Sequence, residues 1–253
     1  MKNLNAAGDR QSSNNLTAQV FLAYAAEDWL CAGTPEQPGA QVVGSPVAAT
    51  IQALRQLLSE AQIAYWECPH SCSAAIDPES MMSRVTEASD NYLLVLTPGS
   101  LADALCLQGL LFALSMNKRI LPVLAETVPT DRLPEPLQTL EAIDLRTSAP
   151  SLGDTDGGRQ LLQTLHHEAD YHHTHTQLLV KALRWERQLR DSSLLLRGKE
   201  LAVYQHWLVG ANQRSRYQPL KLQTLYILES TRQWRDRSDA VSQGVDWLKR
   251  WLV

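Results

Sequence analysis

Five histidines fall within ten residues in the second half of the chain: His166, His167, His172, His173 and His175, with Glu168 and Asp170 among them. Imidazoles and carboxylates at that density are the raw material of a metal site or a proton relay. A metal-binding helix, however, must present its ligands on one face, as the HExxH pattern does. No two of these histidines are four residues apart. His172 and His175 are three apart and His166 and His173 seven apart, so they share faces only loosely. The spacing predicts a solvated helix surface or hydrogen bonding between domains, and no metal. Cys68 and Cys72 are spaced C-x3-C with His70 between them, but no second ligand pair follows, so ordinary thiols are expected. Ser100 and Cys106 have no histidine placed to activate them, which argues against nucleophilic catalysis. Gly157-Gly158 lacks the GxxxxGK context of a phosphate loop.

The elements that must position such residues are clearest between Tyr92 and Leu124. Two short apolar runs, Tyr92–Thr97 and Arg119–Leu124, flank about twenty residues with helical spacing at Leu101, Leu105, Gln108, Phe112 and Ser115. Apolar runs without alternation suit strands buried on both faces, and parallel neighbours need a crossover of this length. This is a βαβ unit at the centre of an α/β domain. Upstream, Gln19–Ala25 reads as a strand, Cys31–Ser45 as a Gly/Pro-rich loop, and Val47–Ala61 as a helix opened by Pro46. Ile63–Trp66 reads as a second strand, Glu67–Asp77 as an irregular loop, and Pro78–Ser89 as a helix capped by Asp77. Downstream, Thr127–Leu140 holds three prolines and a short amphipathic piece, and Ile143–Leu145 reads as an edge strand.

Beyond Ser148–Gly158, rich in Ser, Gly and Asp, the pattern turns helical. One long helix is expected over Arg159–Asp191, with Leu189 among its apolar positions. A second is expected over Lys199–Val209, with Leu201, Tyr204, Trp207 and Leu208 inward. A third opens at Pro219 and carries Leu222, Leu225, Ile227 and Leu228, and a fourth covers Ala240–Leu252. The expected organisation is a disordered segment 1–17, an α/β domain 18–147, a linker 148–158 and an all-α module 159–253.

Charge divides along the same line. Residues 1–158 hold 8 Lys/Arg against 18 Asp/Glu, whereas residues 159–253 hold 15 against 9. The basic excess is modest and spread along helices, which argues against nucleic acid. No apolar run approaches the ~20 residues of a membrane helix. The polar start MKNLNAAGDRQSSNN has no apolar signal core, and a cytoplasmic protein is expected.

Several of these stretches together resemble a bacterial TIR (Toll/interleukin-1 receptor) domain. Gln19–Asp28 (QVFLAYAAED) is similar to the family's first box, and Leu54–Trp66 to its second helix and strand. Glu67–Asp77 occupies the place of the BB loop. Asp90–Leu124 matches best, with the turn Thr97-Pro98-Gly99-Ser100, Cys106, and the run Asn117–Leu124. The resemblance implies a flavodoxin-like parallel sheet. In the second half, Asp170-Tyr171, His175-Thr176, Ala182–Glu186, Ser193–Gly198 and Leu222-Gln223 resemble connectors that follow TIR domains in large cyanobacterial-type signalling proteins.

The resemblance also frames the chemistry. Many TIR domains cleave NAD+, using a glutamate three residues after the cysteine of the central helix. A carboxylate there would hold the ribose hydroxyls and stabilise the oxocarbenium-like ribose as nicotinamide leaves. In this chain that position is Gly109, and 105–114 (LCLQGLLFAL) contains no acid. Substitutes for the carboxylate are Glu67 and Glu79, with Asp103 earlier on the helix. A retained ligand cleft would be lined by Ala23, Tyr24, Trp66 and Glu67, and an assembly surface by Cys68, Pro69, His70, Ser71 and Cys72. The expectation is a degenerate, non-catalytic TIR adaptor or scaffold in bacterial signalling or anti-phage defence. It would need no cofactor. It would act through homo- or hetero-oligomers with TIR domains of its own kind or of a partner, a STAND-type ATPase or other defence component included. The alternatives are an NAD+ glycohydrolase or cyclase with a displaced carboxylate, for which Gly109→Glu should restore turnover, and a nucleotide-binding sensor without turnover.

Overall fold

In the computed structural model, residues 18–30, 45–67, 78–146 and 151–251 are described. In chain order the strands are β1 (Ala18–Ala23), β2 (Tyr65–Glu67), β3 (Ser89–Leu96), β4 (Arg119–Leu124) and β5 (Ile143–Asp144). The helices of the first part are α1 (Ala26–Leu30), α2 (Pro46–Glu60), α3 (Pro78–Ala88), α4 (Pro98–Ala102), α5 (Ala104–Ser115) and α6 (Glu135–Gln138). Then follow α7 (Asp156–His166), α8 (Ala169–Arg187), α9 (Gly198–Ala211) and α10 (Lys221–Trp251).

The five strands form one parallel sheet in the order β2-β1-β3-β4-β5, the flavodoxin-like winding that the sequence implied. β3 lies at its centre and is buried at every position. It starts at Ser89, three residues before the expected apolar run Tyr92–Thr97, because the polar Ser89, Asp90 and Asn91 are buried too and Ser89 and Asn91 pair with β1. Strand alternation then sorts the core. Val20, Leu22, Leu93 and Val95 face Ile51, Leu54 and Leu58 of α2. Phe21, Ala23, Tyr92 and Leu94 face Met82 of α3 and Cys106, Leu110 and Ala113 of α5.

Three expected elements differ. The single helix after Thr97 is two helices. Thr97 caps α4 in a reciprocal capping box with Ser100, then Asp103 turns extended and caps α5 by accepting from the Cys106 N–H at 2.9 Å. The long helix expected over Arg159–Asp191 breaks between α7 and α8, where Glu168 adopts a left-handed φ of 54°. Leu189 falls beyond the end of α8 and is 95% exposed rather than inward. The third and fourth expected helices are one, the 31-residue α10, and Leu228 on it is exposed.

The sheet's own core runs on past residue 147, where the sequence reading ends the α/β domain. Leu152, Leu161 and Leu165 belong to the same apolar cluster as Val20 and Leu22. Gly157 and Gly158, read as linker, form the first turn of α7. A Cβ at either would collide with a backbone carbonyl, Asp144 O or Leu152 O, so these glycines let α7 close on the sheet. A separate apolar cluster joins α8, α9 and α10 through Leu178, Trp185, Leu201, Tyr204, Tyr226 and Ile227.

Candidate functional site

In open α/β sheets, ligands sit outside the carboxyl ends of the strands. At that end of β1 and β2, Tyr24 Oη donates to Glu67 Oε2 at 2.7 Å, and Arg55 of α2 donates to Tyr24 Oη at 2.6 Å and pairs with Glu67. Burial, reinforced by the Glu67 carboxylate, pushes the Tyr24 phenol well above its ordinary pKa. Arg55 was not singled out from sequence. Its signal was a lone cation between Leu54 and the Leu57-Leu58 pair of the buried helix face. Nearby, Thr97 Oγ1 donates to Asp28 Oδ2 at 2.6 Å, and burial raises the Asp28 pKa, with Glu27 and Glu126 adding to the effect.

The four residues expected to line a cleft do not share one side of the sheet. The register pairs Phe21 with Trp66 and Leu22 with Glu67. Tyr24 packs in the cluster of Val20 and Leu22, whereas Ala23 packs with Phe21. Tyr24 and Glu67 therefore meet on the α2 face, while Ala23 and Trp66 lie on the opposite face. A period of two residues forces this split, and the expectation of one common lining ignored it. Glu67, offered as a substitute acid, is held by Arg55. Asp103 is engaged as the cap of α5. Glu79 lies in the first turn of α3. Cys68, Pro69, His70, Ser71 and Cys72 lie outside the described residues, as do the Cys31–Gly44 part of the expected loop and Asp77.

Gly109 is buried on α5. A Cβ built on it would lie 2.7 Å from Met82 Sδ and 2.7 Å from Tyr92 Oη. Tyr92 Oη is itself fixed by donating to the Cys106 carbonyl at 2.9 Å, and its ring meets Phe21 edge-on at 5.3 Å. The position thus has no carboxylate, and a side chain there must push aside the ends of the Met82 and Tyr92 side chains.

The amino ends of the strands carry a second group of charges that sequence reasoning read only as part of a motif. Lys118, buried, donates from Nζ to the Glu87 carbonyl and to Thr176 Oγ1, both at 2.9 Å. Burial draws its pKa down to about 7. Arg119 Nε donates to Asn91 Oδ1 at 2.6 Å, and its terminal nitrogens donate to the His167 carbonyl at 2.8 Å and the Leu165 carbonyl at 3.2 Å. Glu87 forms a two-armed pair with Arg187, and Asp90 meets His173 Nδ1 at 3.1 Å. Burial pushes the Asp90 carboxyl up. These groups join α3, β3 and β4 to α7 and α8.

The histidines separate by place. His166 and His167 are exposed, and His173 is half-buried on Asp90. His172 and His175 are buried and held neutral, both drawn down to about 3 by burial, reinforced by Arg119 for His172 and by Lys118 for His175. Among the described residues no group of three or more potential ligands is arranged to hold a metal. Among the same residues no helix is long and apolar enough to cross a membrane.

Residues 46–162 match the family model described as the TIR domain. Among solved structures, the TIR domain of the Toll-related receptor TRR-2 from Hydra magnipapillata is similar at 18% identity and a TM-score of 0.43, over 59% of this chain and 98% of that one. No curated protein matches the chain.

Proposed function

We propose that the TIR domain carried by this chain is a non-catalytic assembly module. It serves as an adaptor or scaffold in bacterial signalling or anti-phage defence and meets TIR domains of its own kind or of a partner. The observation that supports this most is Gly109. The place where the resemblance requires a glutamate holds a glycine packed against Met82 and Tyr92, and of the candidate substitutes Glu67 is tied to Arg55 and Tyr24 and Asp103 caps the helix. Without a carboxylate at this position, the cation left by the departing nicotinamide loses the group that the resemblance assigns to stabilising it. The module works in the cytoplasm and needs no cofactor. NAD+, if it binds, is a ligand and not a substrate.

Assembly accounts for the retained fold. Individually modest TIR contacts gain strength by repetition, because each added subunit binds at high effective concentration. The helical part, fixed to the amino ends of the strands, offers its own surface to a second component, a STAND-type ATPase among them. The test is an NAD+ hydrolysis assay on the full chain at a concentration where light scattering shows assembled particles. The expected result is no nicotinamide release above buffer. Steady turnover that scales with enzyme concentration overturns the proposal.

A further inference from the structure

The loop joining α9 to α10 forms one wall of an open groove of about 560 Å³, at the amino end of the sheet and away from the Gly109 region. That volume lies within the range of small-molecule sites. Arg119, His172, Arg214 and Arg216 line it, with Glu168 the carboxylate among its lining residues. Arg119 is 4% exposed and spends three N–H groups on Asn91, His167 and Leu165. A guanidinium has five, so one N–H on each terminal nitrogen has no acceptor among the described residues. Arg214 grips Glu168 through both terminal nitrogens, at 2.9 and 2.5 Å, while its Nε is buried without a partner. Its guanidinium lies 4.0 Å above the Tyr171 ring, which fixes its plane. His172, also 4% exposed, is packed edge-on against Tyr171 and Tyr217, and its ring nitrogens have no hydrogen-bond partner among the described residues.

The electrostatics point the same way. Glu168 is neutralised by Arg214, which leaves Arg119 and Arg216 without a carboxylate partner among the described residues. After burial, the charge of Arg119 is the main reason His172 stays neutral, which places the imidazole in a positive field. Planar guanidiniums with unspent N–H groups, around a buried neutral imidazole able to donate one hydrogen bond, suit a tetrahedral oxyanion.

We propose that this groove binds a phosphate-bearing small molecule, with the phosphate held by Arg119, Arg216 and His172 and the remainder lying against Tyr217. The site is independent of the TIR reading and of any NAD+ chemistry. Because it is built from β4, the α7–α8 break and the α9–α10 connection, its occupant would clamp the helical part to the sheet.

Calorimetric titration of the full chain at pH 7 in low salt tests this with two probes, inorganic phosphate and adenosine monophosphate. Saturable binding of one equivalent is expected. Tighter binding of the nucleotide marks a nucleotide site, and equal binding marks recognition of the phosphate alone. Arg216→Ala should weaken binding about tenfold, and Ser215→Asp, which puts a carboxylate at the groove wall, by at least as much. Arg146→Ala, remote from the groove, should leave affinity unchanged. Arg216 and Ser215 are exposed, so both variants are expected to fold, and thermal melts check this. Failure of both probes to saturate, or unchanged affinity in both variants, overturns the proposal.

Discussion

At the carboxyl ends of the strands, Tyr24, Arg55 and Glu67 bond to one another and Tyr92 closes over the Cys106 carbonyl. At the amino ends, Glu87, Lys118 and Arg119 reach across to α7 and α8 instead. Both ends hold buried or half-buried charge, yet they use it differently. The first satisfies its polar groups locally, within the sheet and its covering helices. The second satisfies them partly through α7 and α8, where Arg119 donates to the Leu165 and His167 carbonyls, Lys118 to Thr176 and Arg187 to Glu87. Buried polar groups cost about 1–3 kcal/mol each when left unpaired. The amino end is therefore expected to lose stability when the helical part is removed.

The largest test of this contrast is at Gly109. Gly109→Glu must displace Met82 and the Tyr92 hydroxyl and bury a carboxylate, at a cost of about 4 kcal/mol. A fall in melting temperature of ten degrees or more, with no gain in NAD+ hydrolysis, is expected. A stable variant that turns over NAD+ would mean the carboxyl end opens more readily than its packing implies.

Next in size is Lys118→Ala, which strands the Glu87 carbonyl, takes a donor from the Thr176 hydroxyl and leaves a cavity, a loss of about 3 kcal/mol in chemical denaturation. Amide exchange should rise along α8 more than along β1. Lys118 also sets a pH dependence. Its pKa falls from 10.5 in the unfolded chain to about 7 in the folded one. The unfolded chain therefore binds more protons between these values, and stability rises with pH across that window. The variant should lose that slope.

Smaller effects are expected where pairs are half-exposed. Glu67→Gln weakens the Arg55 pair and should cost about 1 kcal/mol, with the Tyr24 phenol, followed by its ultraviolet titration, moving down toward its ordinary range. His173→Ala exposes Asp90 and should cost under about 1 kcal/mol, since the imidazole is 43% exposed. An equal loss at both positions would erase the distinction between the two ends.

Periodicity in the sequence was enough for β4, the Tyr92–Leu96 part of β3 and the parallel sheet, because an apolar run without alternation marks a strand buried on both faces. The start of β3, Ser89-Asp90-Asn91, is buried but polar and carried no such signal. β4 begins and ends where the apolar run does, at Arg119 and Leu124. The helix break at Asp103 was not legible, because a capping aspartate and a solvent-facing aspartate look alike until the backbone turns extended. The break at Glu168 has no glycine to announce it. The left-handed residue is held by its carboxylate on Arg214, 46 residues away. Of the expected cleft, only the Tyr24–Glu67 contact formed, because residue types alone do not say which face of a strand each side chain takes.

The sequence by itself determined the strand order's raw material, the βαβ unit at Tyr92–Leu124 and the absence of a carboxylate across residues 105–114. These depend on neighbours along the chain. Tertiary structure alone decided that Gly109 is filled from the side by Met82 and Tyr92. It likewise decided that Lys118 and Arg119 fasten the helical part rather than face water, and that α7 belongs to the core of the sheet. Each of those outcomes turns on a partner distant in sequence, and burial beside such a partner is what converts an ordinary residue type into a lock or a filled space.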